Sequence, residues 1–387
     1  MKRIDLSSAD LGYAGLVRYR SELRNLVGKR KAVELLRHKL RGTKKMDDPG
    51  FEFPDLTIGI TAFNRPIYLK SCLYYIVEYF PGATVIIADA SSSENKAFHQ
   101  ATIAKLSANS RNVVFRFKAF DEDAPHLEPV LYLAEETKTE FFVKWDDDDF
   151  YNPLALREAI STMGNDESIV SMTGPSVNLT TEGSDKIIVT GHATTSIKDW
   201  NIIERLIFLG LTATQCWNNL FRTEAFRQSV ESIMYLKRTD LDQLWDHALT
   251  VEIALRGRSE KTETLFMARR AGGNRTSENK MFRGRDLLYK LIDPNRSGDY
   301  TLFRQKVGES LRRTFGPGNE DTAREALDEV CKSLIMASCG NELLYRNVSR
   351  DFLTTHTENE AWFQIAQKNS QALAFINTAV SVVDETD

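Results

Sequence analysis

The stretch EFFVKWDDDDFYNP, residues 140–153, places four consecutive aspartates directly after a largely apolar, strand-like run. Adjacent carboxylates repel one another, and burying them without partners is costly. A divalent cation removes that cost, because Mn²⁺ and Mg²⁺ take oxygen ligands and are usually held by one or two carboxylates together with substrate phosphates. The stretch therefore predicts a site at which Mn²⁺ or Mg²⁺ bridges a diphosphate.

Two other interpretations of the four aspartates stay open. Aspartate is common where strands stop, so the run can be a solvated acidic turn. A calcium-binding EF-hand loop starting at Asp147 would place Asp149 at its third position and Glu158 at its twelfth. However, Tyr151 would then occupy a ligand position and Asn152 the position that requires glycine, which argues against this loop.

Strand-like and helix-like segments alternate through residues 55–270. Strands are predicted at LTIGITAF, ATVIIADASS, NVVFRFKAF and EFFVKW, and helices at IYLKSCLYYIVEYF, around 94–108 and at EPVLYLAEET. Short strand–helix–strand connections favour right-handed crossovers, so the expected fold class is α/β, with a mostly parallel sheet flanked by helices. Ligands of such sheets bind at the carboxyl ends of the strands, where the four aspartates lie.

The regions on either side differ from this α/β core in composition. Residues 14–45 carry 11 Lys or Arg against two Glu, with apolar residues at helical spacing. Residues 286–387 contain only helix-like segments, at TLFRQKVGESLRRTF, DTAREALDEVCKSLIMAS, NELLYRNVSRDFL and AWFQIAQKNSQALAFINTAVSVV. We therefore expect an N-terminal basic helical segment over 1–50, an α/β domain over 51–285 and a C-terminal helical domain.

Composition limits the cellular compartment and the classes of partner that we expect for this protein. The net charge of −4 does not indicate a nucleic-acid partner. The four cysteines show no C-x-x-C spacing, and there is neither a signal-peptide pattern nor an 18-residue apolar run. We therefore expect a cytoplasmic protein. Its basic segment 14–45 either packs on the protein itself or makes a peripheral contact with the inner face of the membrane. The oligomeric state does not follow from the sequence.

Three segments together resemble glycosyltransferase family 2. They are LTIGITAFNRPIYLKSCLYYI, ATVIIADASSSENK and EFFVKWDDDDFYNP, in this order and spacing. Members of this family open with a strand that ends in a Thr-x-x-Asn-Arg-like turn, continue with a strand that ends in Asp near Ser, and carry an Asp-x-Asp after a later strand. The resemblance implies a Rossmann-like GT-A fold. It also implies metal-dependent, inverting transfer of a sugar from a nucleotide-diphosphate donor to a hydroxyl of a glycan or lipid-linked acceptor.

The resemblance also implies residues that bind the nucleotide sugar. The turn that lines the base corresponds to Thr61, Ala62, Phe63, Asn64 and Arg65. Asp89 corresponds to the acid that hydrogen-bonds the base, with a strand-end cap as the alternative. Asp148 and Asp146 correspond to the Asp-x-Asp at the metal, Asp148 as ligand and Asp146 as contact to ribose or metal-bound water. Asp147 and Asp149 leave this register open by one residue.

A later helical segment, DQLWDHALTVEIALRG, supplies candidates for the general base. Asp242 and Asp246 are spaced i, i+4, and repulsion between two acids on one helical face raises a pKa, which suits a base that works near neutrality. The family's spacing before a glycine, here Gly257, selects Asp246 and leaves Asp242 in reserve. The family often has Glu-Asp where this chain has Trp245-Asp246. His247, or two ordinary acids near a helix N-terminus, are the alternatives.

Two further segments flank the predicted base. QCWNNLFRTEAF resembles the strand and turn that precede the base, and its Trp217 is either an acceptor-side residue or part of the core. The basic, glycine-rich segment 268–285 either closes over a diphosphate through Arg270 or Arg275, or is a solvated linker.

Two other functions remain as alternatives. A sugar-1-phosphate nucleotidyltransferase has a related sheet, but its first strand usually leads into a glycine-rich phosphate loop, and AFNRP contains no glycine. A non-catalytic scaffold at a membrane surface would use the basic segment 14–45 and the C-terminal helices. Catalytic-type acids at two separated places argue against it.

Overall fold

The structure, a computed structural model, describes the α/β core and two of the helices that follow it. The described residues are 50–110, 112–181, 187–192, 202, 205–206, 216–237, 242–271, 297–338, 374–375 and 378–379. The predicted basic segment 14–45, Arg275 and the predicted helix NELLYRNVSRDFL lie outside them, as do most of the final predicted helix and the side chain of Asp242.

Strands of the described residues form two sheets. Their bounds are β1 Leu56–Ala62, β2 Thr84–Asp89, β3 Val114–Ala119, β4 Phe141–Asp146, β5 Asp149–Tyr151, β6 Ile169–Thr173, β7 Ser176–Thr181, β8 Ile187–His192, β9 Leu220–Arg222, β10 Arg258–Lys261 and β11 Met267–Ala271. The larger sheet has the order β10-β6-β9-β4-β1-β2-β3, and the smaller sheet has the order β5-β11-β7-β8. In the larger sheet β4, β1, β2 and β3 run parallel, whereas β9 is antiparallel to both of its neighbours.

Helices connect the strands and cover the sheet. Their bounds are α1 Pro66–Tyr79, α2 Ser93–Asn109, α3 Leu127–Glu136, α4 Pro153–Asn165, α5 Thr223–Ile233, α6 Asp242–Arg256, α7 Ser297–Phe315 and α8 Glu320–Ser338. A short 3₁₀ helix, Met234–Leu236, follows α5. Apolar residues of α1, α2 and α4 join one core cluster, and those of α3, α5 and α6 join a second one.

Local sequence explains where three of these helices begin. Pro66 opens α1, where its fixed φ suits a helix and its missing N–H would have had no helical partner. Ser92 caps α2 by accepting a hydrogen bond from the Asn95 amide, 3.5 Å away. Asn152 caps α4 in the same way, with its Oδ1 3.1 Å from the Leu154 nitrogen. The start of α1 follows Arg65, which pairs with two of the four aspartates, and the start of α4 follows the aspartates themselves.

The structure confirms the predicted α/β class and mostly parallel sheet. Strand β9 lies within QCWNNLFRTEAF, where the resemblance implied a strand, but its antiparallel direction was not predicted, because a three-residue strand carries too little periodicity to reveal it. Helices α7 and α8 match the first two predicted C-terminal helices, and Phe303, Val307 and Leu311 of α7 share a core cluster with α6. The division into three regions stays a prediction. No helix among the described residues is long and apolar enough to cross a membrane.

Candidate active site

The carboxyl ends of β1, β2 and β4 meet at one edge of the larger sheet. Thr61 of β1 lies opposite Asp146 of β4, and Ala62 lies opposite Asp89 of β2. Parallel pairing therefore brings the predicted nucleotide-binding turn, the predicted base contact and the first of the four aspartates to the same edge. This is the edge at which open α/β sheets bind ligands.

The four aspartates divide into an inward pair and an outward pair. The Asp147 and Asp149 side chains are 0% and 4% exposed, whereas those of Asp148 and Asp146 are 11% and 25% exposed. Asp147 and Asp148 form the turn that joins β4, which ends at Asp146, to β5, which begins at Asp149. The acids that remain accessible are those at the Asp-x-Asp register predicted from the sequence.

Basic side chains compensate the charge of the outward and inward acids. Arg65, at the end of the β1–α1 turn, pairs with Asp147 and places Nη1 2.7 Å from Asp148 Oδ2. Lys144 of β4 pairs with Asp146. Arg269 of β11 lies across the ladder from Asp149, with Nε 3.7 Å from Oδ2.

The outward Asp146 differs from the two inward acids in its pKa. Burial acts to raise the pKa of Asp146, but the charge and hydrogen bond of Lys144 outweigh it and lower that pKa. Burial raises the pKa of Asp147 to about 8 and that of Asp149 well above its usual range, because the charges of Arg65 and Arg269 only partly oppose it. Asp146 is therefore ionised at neutral pH, whereas the inward Asp147 and Asp149 favour their protonated forms.

The turn after β1 is organised by Asn64. Its backbone has φ 53°, in the left-handed region that Asn adopts more readily than most residues. Its Oδ1 accepts the Ser92 amide at 2.8 Å and the Asn95 side-chain amide at 2.9 Å, which ties the turn to the start of α2. Phe63, beside it, is 38% exposed, whereas Ala62 is buried and Thr61 half-buried. The turn thus offers one exposed aromatic face and one arginine.

Asp89 is held by protein groups at the end of β2. Its carboxylate accepts the Ser91 amide at 2.8 Å and lies 2.7 Å from Nδ1 of the buried His99. Burial acts to raise its pKa, but the hydrogen bonds from His99 and Ser91 outweigh this and lower it. These contacts match the strand-end cap that the sequence left as an alternative. A contact between Asp89 and a nucleotide base stays a prediction.

Asp246 lies on α6 and faces the acid cluster. Its Oδ1 is buried and has no hydrogen-bond partner among the described residues. Burial raises its pKa to about 7; Lys144 and Arg269 oppose the rise and Asp146 adds to it. The sequence predicted a raised pKa here from repulsion between Asp242 and Asp246. The main cause in the structure is desolvation, with a contribution from Asp146, and the side chain of Asp242 lies outside the described residues.

An aromatic cluster adjoins Lys144 of β4 and includes Trp245, the residue before Asp246. The rings of Trp217 and Trp245 are 4.1 Å apart between centroids, and His126 lies 5.2 Å from Trp245. The Lys144 ammonium lies 4.3 Å from the Trp217 ring centroid. Burial lowers the pKa of His126 to about 4, so this imidazole is neutral at pH 7. His247 is likewise neutral, because burial lowers its pKa to about 4.

Among the predicted arginines, Arg270 lies within the described residues. It is 3% exposed, and its guanidinium lies 4.0 Å from the Tyr68 ring centroid, while that of Arg65 lies 6.0 Å from the same ring. The Tyr68 ring therefore lies near both cationic side chains beside the acid cluster. Arg269, its neighbour, was not singled out from the sequence because alternation along β11 could not be assigned before the β5 partner was known.

The residues fit a divalent ion that arrives with phosphate. The described residues contain no group of three or more His, Cys, Asp or Glu side chains able to hold an ion unaided. Mg²⁺ and Mn²⁺, however, are commonly held by one or two carboxylates with substrate phosphates completing the shell. Asp146 and Asp148 are hard-oxygen donors that remain partly exposed at the ligand-binding edge. An ion bound there would compete with Lys144 and Arg65 for these carboxylates.

Comparison with known proteins places the chain near several solved glycosyltransferases at low similarity. No family model and no curated protein matches it. S. aureus TarS 1–349 in complex with UDP-GlcNAc is 13% identical, with a TM-score of 0.42, over 73% of this chain and 91% of that one. Mannosyltransferase PcManGT from Pyrobaculum calidifontis, in complex with GDP-Man and Mn²⁺, is 11% identical, with a TM-score of 0.38, over 92% and 96%. At these values function must be inferred from the residues themselves.

Proposed function

We propose that this chain is an inverting glycosyltransferase. It transfers a sugar from a nucleotide-diphosphate donor to a hydroxyl of a glycan or glycoconjugate. The observation that carries the proposal is that two kinds of carboxyl group occur in the same candidate site. Asp146 and Asp148 are outward acids beside basic side chains, and Asp246 is a desolvated carboxyl with a pKa raised to about 7. Environments that push acids apart in pKa assign them different roles in catalysis.

The donor side consists of the outward acids and the turn after β1. Asp148 and Asp146 would hold Mn²⁺ or Mg²⁺ together with the donor's diphosphate. When bound, the ion neutralises the charge that develops on the leaving nucleoside diphosphate. Arg65 lies beside Asp148, and Arg270 lies against the same Tyr68 ring as Arg65; both can donate charge-assisted hydrogen bonds to phosphate oxygens. The exposed ring of Phe63 offers a face on which the nucleotide base can stack.

The acceptor side consists of Asp246 and the aromatic cluster. Asp246 takes the proton of the acceptor hydroxyl while that oxygen attacks the anomeric carbon and the bond to the diphosphate breaks. A pKa of about 7 leaves a useful fraction of this carboxyl ionised at neutral pH and still makes it a competent proton acceptor. Trp217 and Trp245 provide apolar ring faces against which a sugar acceptor can pack.

Binding and turnover of variants separate the two sides. In a thermal-shift screen of nucleoside diphosphates with and without Mn²⁺, we expect one nucleotide to stabilise the wild type, since a ligand of the native state raises its melting temperature. Asp246→Asn should keep this stabilisation and lose sugar transfer. Asp321→Asn, the same change at an exposed position on α8, is the matched control and should affect neither. Pyrophosphate release from a nucleoside triphosphate would instead favour the nucleotidyltransferase alternative.

A further inference from the structure

Lys144 is a charged residue that the sequence analysis did not single out. It lies on β4 two residues before Asp146, and its side chain is 1% exposed. Removing an ammonium group from water is costly unless the group is paired and hydrogen-bonded. A lysine retained inside this sheet edge therefore needs compensating contacts, and those contacts lie in the candidate active site.

The contacts of Lys144 reach both sides of the site. Its Nζ pairs with Asp146 on the donor side. The same ammonium lies 4.3 Å from the ring centroid of Trp217, a contact of cation–π type, on the acceptor side. Its charge also lowers the pKa of Asp246, so the ammonium lies within electrostatic reach of the proposed base.

The positive charges around the four aspartates allow Lys144 and a divalent ion to compete for one carboxylate, that of Asp146. Lys144, Arg65 and Arg269 supply three positive charges to the cluster. Lys144 is the partner that occupies Asp146, which is the most exposed of the four acids. A divalent ion that takes Asp146 as a ligand must separate this carboxylate from Lys144, because two cations at one carboxylate repel each other.

We propose that Lys144 is a positioning residue that competes with the divalent ion for Asp146. This inference rests on the proposed function. In the protein without donor, Lys144 pairs with Asp146, holds its carboxyl group in place and keeps the affinity for the ion low. The donor's diphosphate adds ligands for the ion and favours its binding, and Lys144 then remains beside Trp217 and Asp246. The ion thus binds chiefly together with the donor.

The test titrates the full chain with Mn²⁺ alone and measures bound ion by calorimetry or by the EPR signal of free Mn²⁺. Lys144→Met removes the competing charge and should tighten Mn²⁺ binding about tenfold. Lys144→Arg keeps the charge and should bind Mn²⁺ as the wild type does. Lys118→Met, the same change at an exposed lysine of the edge strand β3, is the matched control and should leave the affinity unchanged.

A double variant distinguishes competition from a structural role. In Asp146→Asn the tightening caused by Lys144→Met should disappear, because the carboxylate for which the two cations compete is absent. Lys144→Gln is a second neutral variant, and circular dichroism checks that each variant is folded. Equal Mn²⁺ affinity in wild type and in a folded neutral variant would overturn the inference. So would failure of both neutral variants to fold while Lys144→Arg folds, since Lys144 would then serve stability.

The same samples separate this inference from the proposed function. A wild type that is stabilised by a nucleoside diphosphate with Mn²⁺, but whose Mn²⁺ affinity does not respond to Lys144→Met, retains the proposed function and loses the inference. A wild type that binds neither Mn²⁺ nor any nucleoside diphosphate loses both.

Discussion

The proposed donor side and the proposed acceptor side each contain a buried or half-buried carboxyl group. The two sides differ in the charged and hydrogen-bonding groups that surround these carboxyls. At the end of β4, Asp146 and Asp148 each have a basic partner, Lys144 or Arg65. On α6, the buried Oδ1 of Asp246 has no hydrogen-bond partner among the described residues. Compensation by Lys144 lowers the pKa of Asp146, and desolvation raises the pKa of Asp246. A difference of this kind would let one residue type serve as a ligand at one place and as a base at another, as we propose.

The largest expected effect is on the acceptor side, at Asp246. Asp246→Asn should lower kcat by about 10³-fold, because general-base catalysis typically contributes factors of this order. Stabilisation by nucleoside diphosphate and Mn²⁺ should persist, which is measured by thermal shift on the same preparation. Full activity in Asp246→Asn, together with loss in Asp242→Asn, would move the base to the reserve residue.

On the donor side, at Asp148, we expect a smaller loss of turnover together with a loss of donor binding. Asp148→Asn should lower turnover by about 10²-fold, a typical cost of removing electrostatic stabilisation of developing charge. It should also abolish the extra thermal stabilisation that Mn²⁺ adds to a nucleoside diphosphate. If Asp149→Asn abolished that stabilisation and Asp148→Asn did not, the inward acid would be the ligand and the register would shift by one residue.

The pH dependence of stability probes the contrast without a substrate. The pKa of Asp246 is about 7 in the folded protein against the ordinary 3.8. A raised folded-state pKa stabilises the protein fully below the unfolded-state value, and this contribution is lost as the pH rises towards 7. Asp246→Asn removes the loss, so relative to wild type the variant should be more stable at pH 8 than at pH 5 by about 2 kcal/mol. Denaturant unfolding at both pH values measures this difference, and a difference of zero would contradict the raised pKa.

The smallest expected effect concerns the aromatic cluster. Trp217→Phe keeps an aromatic ring at this position, but the ring is smaller and its contact with Lys144 is weaker. We expect a rise of about fivefold in the acceptor KM with the donor KM unchanged, in line with about 1 kcal/mol for such a contact. Initial-rate kinetics with each substrate varied in turn separate the two constants. An effect confined to the donor KM would place Trp217 on the other side of the site.

Sequence pattern was sufficient for the elements that carry a strong local signal. The runs that became β1, β2 and β4 are apolar and end in polar residues, and Pro66 marks the start of α1. The register of the Asp-x-Asp, predicted from the resemblance, also matches the two acids that remain partly exposed, Asp146 and Asp148. Local patterns of this kind depend on neighbouring residues, which a sequence displays directly.

Contacts between distant residues could not be predicted in the same way. Lys144 looks like an ordinary strand residue until Asp146, Trp217 and Asp246 are brought around it. Likewise, His126 directly precedes the helix that contains the predicted EPVLYLAEET, but only the fold brings it to Trp245. Burial as the main cause of the raised pKa of Asp246 could not be predicted either, since burial depends on packing that a single segment does not reveal.

A crystal structure of the wild type with Mn²⁺ and the nucleoside diphosphate that stabilises it tests the central proposal most directly. We expect an anomalous Mn²⁺ peak at coordination distance, about 2.1 Å, from a carboxylate oxygen of Asp148, with the diphosphate on the same ion and Asp246 across the site. An ion and diphosphate bound away from Asp146 and Asp148 would contradict it.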